Sequence, residues 1–168
     1  AEYFSEFGLI RYRVKVEGEY FIALSGAGLK QFPAISAPKA KALRKIYLDF
    51  NESDAKRIKD TEKITNHDVK AVEYFIKHEL DKCGAGSAKE WVHFGLTSQD
   101  VNNTAVPLLW KDSIEYEYLP SLLNLNTQLK LLAREWKDIP MLAHTHGQAA
   151  SPTRLGKEIM VFTERIQN

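Results

Sequence analysis

The chain has 168 residues, enough for one domain or for one domain and part of another. Apolar residues make up 44% and charged residues 27%, which supplies a buried core and excludes a disordered chain. With 23 basic against 22 acidic residues the net charge is +1, so the charge balance points to neither nucleic acid nor a charged membrane surface as partner.

Glycine and proline punctuation is sparse and the segments between are long, which predicts helices rather than many short strands. The first segment reads two ways. Residues 10–16 alternate apolar and polar like a strand, whereas Phe7, Ile10, Val14, Phe21 and Leu24 fall at helical spacing over a longer window; length favours helix, with Ser5 as a possible cap. Gly26 and Gly28 close it. Ser36-Ala37-Pro38 opens a second helix to about Phe50, and a short charged helix follows residues 51–53 and runs to about Ile64. Thr65-Asn66 offers a cap for the next helix, which runs to Lys82 with Val69, Val72, Ile76 and Leu80 as its apolar stripe. Residues 83–86 end it, and Ser87 with Glu90 has the pattern of a capping box.

Residues 97–136 form the longest helical stretch, with Pro107 and Pro120 expected to kink or divide it. Leu122, Leu125, Leu129, Leu132 and Trp136 step by three and four along it. So long a stripe cannot be covered within a small lone domain and suggests a bundle shared between subunits. Residues 138–150 read as irregular, and Ser151-Pro152 as the start of a last helix. That helix carries no stop signal before Asn168, so the chain is expected to end inside an element.

Cys83 is the only cysteine, which excludes an intramolecular disulfide and a cysteine-built zinc site and suggests a reducing compartment. No apolar run approaches a membrane span, and the first 20 residues carry charges throughout, so the expected location is the cytoplasm.

Three polar clusters sit where loops meet helix starts. They are residues 65–68, then His93 with residues 97–100, then residues 144–148. Unpaired N–H groups and the positive dipole end at a helix start suit carboxylates and phosphates. Each cluster also reads as ordinary capping or as loop histidines, and His78 reads as a surface residue. The His144-x-His146 spacing invites metal, but no cysteine or clear acidic partner lies nearby.

The residues at these places carry a resemblance. TNHDVKAVEYF at 65–75 resembles the signature of the adenylosuccinate lyases. HFGLTSQDVNN at 93–103 and HTHGQAASPTRLGKE at 144–158 resemble the second and third blocks, shared more widely across the fumarase and aspartase superfamily. The resemblance implies an all-α chain, with an N-terminal helical domain at 1–95 and the beginning of a long central bundle at 96–168. It favours helix for the ambiguous first segment. It implies a homotetramer with active sites assembled from several subunits, and no metal or organic cofactor. The implied reactions release fumarate from adenylosuccinate, leaving AMP, and from the succinylated imidazole carboxamide ribotide.

By the same resemblance His146 is the general acid that protonates the departing nitrogen. Asn66, His67 and Asp68 are substrate-binding, Thr97 and Ser98 hold a succinyl carboxylate, and His93 is a secondary contact. Gln99 stands where many relatives have glutamate, and His144 where some have arginine. The family's Arg-Tyr phosphate contact is expected before Ala1 and its serine base loop beyond Asn168, so these residues alone are expected to be inactive. The alternatives are another lyase of the superfamily, disfavoured by the block at Asn66, and a non-catalytic helical assembly domain.

Overall fold

In the computed structural model, which describes residues 2–32 and 34–168, Ser5 accepts a hydrogen bond from the Gly8 N–H and opens α1 at Glu6–Ser25. The strand-like alternation loses to the longer helical period: Ile10, Val14 and Phe21 are buried on one face, with Phe7 and Leu24 packed beside them. Helix α2 spans Ala37–Leu48 with proline in its first turn, and α3 spans Glu52–Thr65 behind a reciprocal capping box between Asn51 and Asp54. Helix α4 spans Asp68–Lys82. Its predicted stripe of Val69, Val72, Ile76 and Leu80 is almost fully buried. With Leu43, Ile58, Phe32 and the α1 face, Val72, Ile76 and Leu80 of this stripe form the main core, each large side chain contributing about 1.5–3 kcal/mol by leaving water.

Two predicted caps are corrected. His67, not Thr65-Asn66, caps α4: its Nδ1 accepts the Lys70 N–H at 3.1 Å. Asn66 instead ends α3 in the left-handed region, with φ of 50°, which asparagine tolerates better than most residues. Ser87 and Glu90 form no capping box. Residues Gly86–Trp91 make a 3₁₀ turn without a side-chain cap, and the Glu90 carboxylate pairs with Lys77 at 2.9 Å. A Cβ at Gly86 would collide with the Asp81 side chain, so this turn lies tight on the end of α4.

Helix α5 spans Ser98–Ser113 and carries Pro107 in its interior. A π turn at Ile114–Tyr118 leads into α6, Leu119–Glu135, with Pro120 in the first turn. The Leu119 N–H bonds to the Ile114 carbonyl, five residues back. This widening is the division expected at Pro120, whose ring would clash in an unbroken α register and which has no N–H to give.

The stretch after α6 departs most from expectation. Strands β1 (Pro140–Thr145) and β2 (Gln148–Arg154) pair antiparallel through the two-residue turn His146-Gly147. Both turn residues have positive φ, 54° and 74°, as a type I′ hairpin requires. The register shifts between Leu142↔Pro152 and His144↔Ala149, which places an extra residue on β2 just before Pro152. Ser151-Pro152 therefore lies within a strand, and the last helix, α7, begins at Leu155 and runs to Gln167.

Packing divides the chain into two units, one ending at Lys111 and one spanning Asp112–Asn168. In the second unit α6 and α7 cross at Gly156, where a Cβ would collide with the Ala133 carbonyl and the Lys137 backbone. Ala133 and Thr163 are buried there, while Leu123, Leu125 and Leu131 of α6 and Phe162 of α7 stay half-exposed or more. No helix among the described residues is long and apolar enough to cross a membrane.

Candidate functional site

The α3–α4 junction and the start of α5 bring two predicted residues together within the first unit. His67 Nε2 lies 3.4 Å from Ser98 Oγ, across 31 residues of sequence. Because Nδ1 accepts the Lys70 N–H, the neutral ring carries its proton on Nε2 and donates it to Ser98 Oγ. Ser98 then keeps its own hydroxyl proton to give outward. The chain of donors begins at the positive end of α4 and polarises toward an incoming acceptor, which suits a carboxylate. The separation is at the outer limit for such a bond.

Asn66, His67 and Asp68 line an open cleft of about 620 Å³ together with Lys59, Glu62 and Lys63. Its lysines are already engaged: Lys59 with Glu6 and Glu62 at 2.9 and 3.0 Å, Lys63 with Asp60 at 2.7 Å. The Asp68 carboxylate is also committed, through Oδ1 to the Val69 N–H at 2.8 Å and through Oδ2 to Arg13 at 2.7 Å. Burial would raise this carboxyl, but the Val69 bond and the Arg13 charge outweigh it and hold it below its ordinary range.

Thr97 and Ser98 divide their work. Thr97 gives both its N–H and its hydroxyl proton to Asp100, each at 2.7 Å, and so fixes the start of α5. These bonds hold the exposed Asp100 carboxyl below its ordinary range. Ser98 is thus the hydroxyl of the pair with a donor left.

His93, in the left-handed region with φ of 62°, binds Glu17 of α1 through Nδ1 at 2.5 Å. The Glu17 carboxylate is fully buried and its second oxygen, Oε2, has no hydrogen-bond partner among the described residues. Burial pushes this carboxyl above its ordinary range; the His93 bond pulls it down without cancelling the effect, and nearby Glu73 adds to the rise. Glu73 itself is held low. Its burial is outweighed by Lys70 at 2.7 Å and Lys77 at 3.1 Å.

In the second unit His146 sits at the hairpin tip, exposed, with its ring bonded to no other described residue. His144 donates from Nδ1 to the Leu142 carbonyl at 3.0 Å. The Arg154–Asp138 pair at 3.1 Å ties the ends of the hairpin together. Among the described residues no group of three or more His, Cys, Asp or Glu is arranged to hold a metal ion.

Arg13, Glu17 and Asn102 were not among the predicted site residues. Glu17 had a visible signal: it falls in the series Ile10, Val14, Glu17, Phe21, on the apolar face of α1, where an acid must find a partner.

Against known proteins, residues 2–168 match the family described as Lyase. The adenylosuccinate lyase of Dictyostelium discoideum is 53% identical over 173 aligned residues, covering all of this chain and 37% of that protein. Those of Vibrio cholerae and Escherichia coli K12 are 43% and 41% identical, each covering 98% of this chain and 36% of the relative. The chain thus spans a little over a third of the length of the curated relatives it matches. Among solved structures, a fumarate lyase from Mesorhizobium sp. BNC1 superposes with a TM-score of 0.76 at 24% identity, covering 99% of this chain and 36% of the other. A 3-carboxy-cis,cis-muconate lactonizing enzyme from Pseudomonas putida gives 0.73 at 21%, covering 99% and 38%. These two likenesses concern the mostly helical fold. With the family match running from residue 2 to residue 168, the chain belongs to this lyase family.

Proposed function

We propose that these residues form the N-terminal part of an adenylosuccinate lyase. The complete enzyme eliminates fumarate from adenylosuccinate to give AMP, and from the succinylated imidazole carboxamide ribotide, in purine nucleotide biosynthesis. The observation that carries this reading is identity of 41–53% to adenylosuccinate lyases along essentially the whole chain. The placement of His67 beside Ser98 supports it chemically.

In this reading Ser98 donates to a carboxylate of the succinyl group, where negative charge builds as the neighbouring carbon loses its proton. Asn66, His67 and Asp68 line the substrate cleft, and Thr97, with Ser98, holds the succinyl carboxylate while its bonds to Asp100 fix the start of α5. His93 is a secondary contact. His146 gives a proton to the departing nitrogen, a step in which a positioned acid is worth about 10²–10⁴-fold in rate. The tip of a two-residue turn suits an acid that must project into a site built from other segments. Residues 1–95 form the N-terminal helical domain and 96–168 open the central bundle. The uncovered leucines of α6 favour self-association as a homotetramer. The substrates are small molecules, with no role for nucleic acid or membrane, and the enzyme is cytoplasmic.

The test is substrate profiling of the full-length protein against adenylosuccinate and argininosuccinate at equal concentration. Fumarate release from adenylosuccinate alone is expected. Preference for argininosuccinate, or no turnover of either, would overturn the reading.

A further inference from the structure

We propose that Arg13 is a positioning residue that sets the spacing between His67 and Ser98. Only the catalytic part of its test rests on the function proposed above. Arg13 lies on α1 between buried Ile10 and Val14, and its own side chain is 9% exposed. The guanidinium holds two partners from two other helices. Its Nη2 lies 2.7 Å from Asp68 Oδ2, and its Nε donates to Asn102 Oδ1 at 2.9 Å. Asp68 is the first residue of α4 and follows His67 directly. Asn102 lies four residues after Ser98, one turn along the same face of α5. A planar guanidinium fixes the directions of its partners, so Arg13 ties the start of α4 to the start of α5. The His67–Ser98 pair spans the same two helix starts.

Two further contacts from α1 hold the segment that leads to Ser98. Glu17 binds the His93 ring, and the Tyr20 hydroxyl donates to the Phe94 carbonyl at 2.8 Å. Arg13, Glu17 and Tyr20 are spaced by four and three residues, so they share one side of α1. That helix acts as a rail on which this part of the site is assembled. Stability alone is a poor reason for the buried arginine, because a hydrophobic residue of similar volume often serves the fold as well as an ion pair. With Glu17 and Tyr20 still in place, loss of Arg13 frees α4 relative to α5 and leaves the rest of the segment held.

The experiment uses the full-length protein carrying Arg13→Lys or Arg13→Met, each alone and combined with Ser98→Ala. Lysine retains the charge for Asp68 but cannot hold both partners. Misplacing a reacting group by about 1 Å costs on the order of 100-fold, so kcat/KM for adenylosuccinate should fall about 100-fold in Arg13→Met and about 10-fold in Arg13→Lys. In the Ser98→Ala background the same changes should cost less than about 3-fold, because the group whose place Arg13 sets is gone. Equal losses in both backgrounds would show a general structural role and overturn the proposal. Crystal structures of the unmodified protein and Arg13→Lys give a second reading, independent of turnover. The His67–Ser98 separation should widen, and an unchanged separation overturns the proposal. If Arg13→Met fails to fold, Arg13→Lys carries both comparisons. If the unmodified protein releases no fumarate, the proposed function fails by itself, and the crystallographic separation decides the role of Arg13.

Discussion

Replacing Glu17 with glutamine separates the charge of this buried group from its shape. The side chain is fully buried, one oxygen accepts from His93 Nδ1, and the other has no partner among the described residues. Glutamine keeps the acceptor and nearly the volume; it puts a neutral amide nitrogen where the unpartnered oxygen was, so the charge is removed while one polar group stays buried. The unpartnered oxygen is the part of the ionised carboxylate whose lost hydration nothing replaces, a penalty of about 1–3 kcal/mol for a buried polar group. The Glu17 carboxyl is raised in the fold from its ordinary 4.5, chiefly by burial. A raised acid favours the fold fully below that ordinary value and loses its contribution as pH climbs through the folded value. Glu17 therefore costs the unmodified protein stability on going from pH 4.5 toward neutral, and Glu17→Gln does not carry this cost. Urea unfolding of the full-length protein and the variant at several pH values between 4.5 and 7.5 measures the difference. Near pH 4.5 the two should be close, and by pH 7.5 the variant should be ahead by about 1–2 kcal/mol. Glu17→Ala, which strands the His93 donor and leaves a cavity, should instead be less stable throughout by about 2–3 kcal/mol. A Glu17→Gln difference that stays flat or shrinks as pH rises would show that the buried Glu17 charge does not weaken the fold.

Three further outcomes are expected. His146→Asn should cut turnover about 10²–10⁴-fold while leaving the melting temperature within a degree or two, because Asn-Gly is a preferred pair for this turn; an unchanged rate would remove His146 from the acid role. Gly156→Ala should destabilise the protein by about 1–3 kcal/mol in urea unfolding, since the added methyl forces α6 and α7 apart, and full stability would contradict that close crossing. Asp68, Glu73 and Glu79 are all held below their ordinary 3.8–4.5, burial being outweighed by bonds to N–H groups and basic partners. Their contribution is present above that range and is lost as pH falls below it, so an acid titration followed by circular dichroism should show Asp68→Asn with a shallower decline below pH 4 than the unmodified protein.

The helices were legible where spacing alone decides burial. Val69, Val72, Ile76 and Leu80 read as a stripe and are one. The hairpin is not legible, because β2 opens with Gln148, Ala149, Ala150 and Ser151, none of them β-branched or aromatic, continues into Pro152, and follows a His-Gly turn, a weaker signal than Asn-Gly. Imidazole is outside the usual set of caps, so the sequence does not mark His67 as one, and its contact with Ser98 is hidden with it. That contact depends on how α1, α4 and α5 pack, which no local pattern records. Glu17 is an intermediate case: its position on the apolar face was readable, but its partner, His93, lies 76 residues away.

The most direct test of adenylosuccinate lyase activity follows fumarate and AMP together when the purified full-length protein meets adenylosuccinate at neutral pH. Both should appear at the same rate, one mole of each per mole of substrate consumed. No consumption, or fumarate formed without an equal amount of AMP, would contradict that activity.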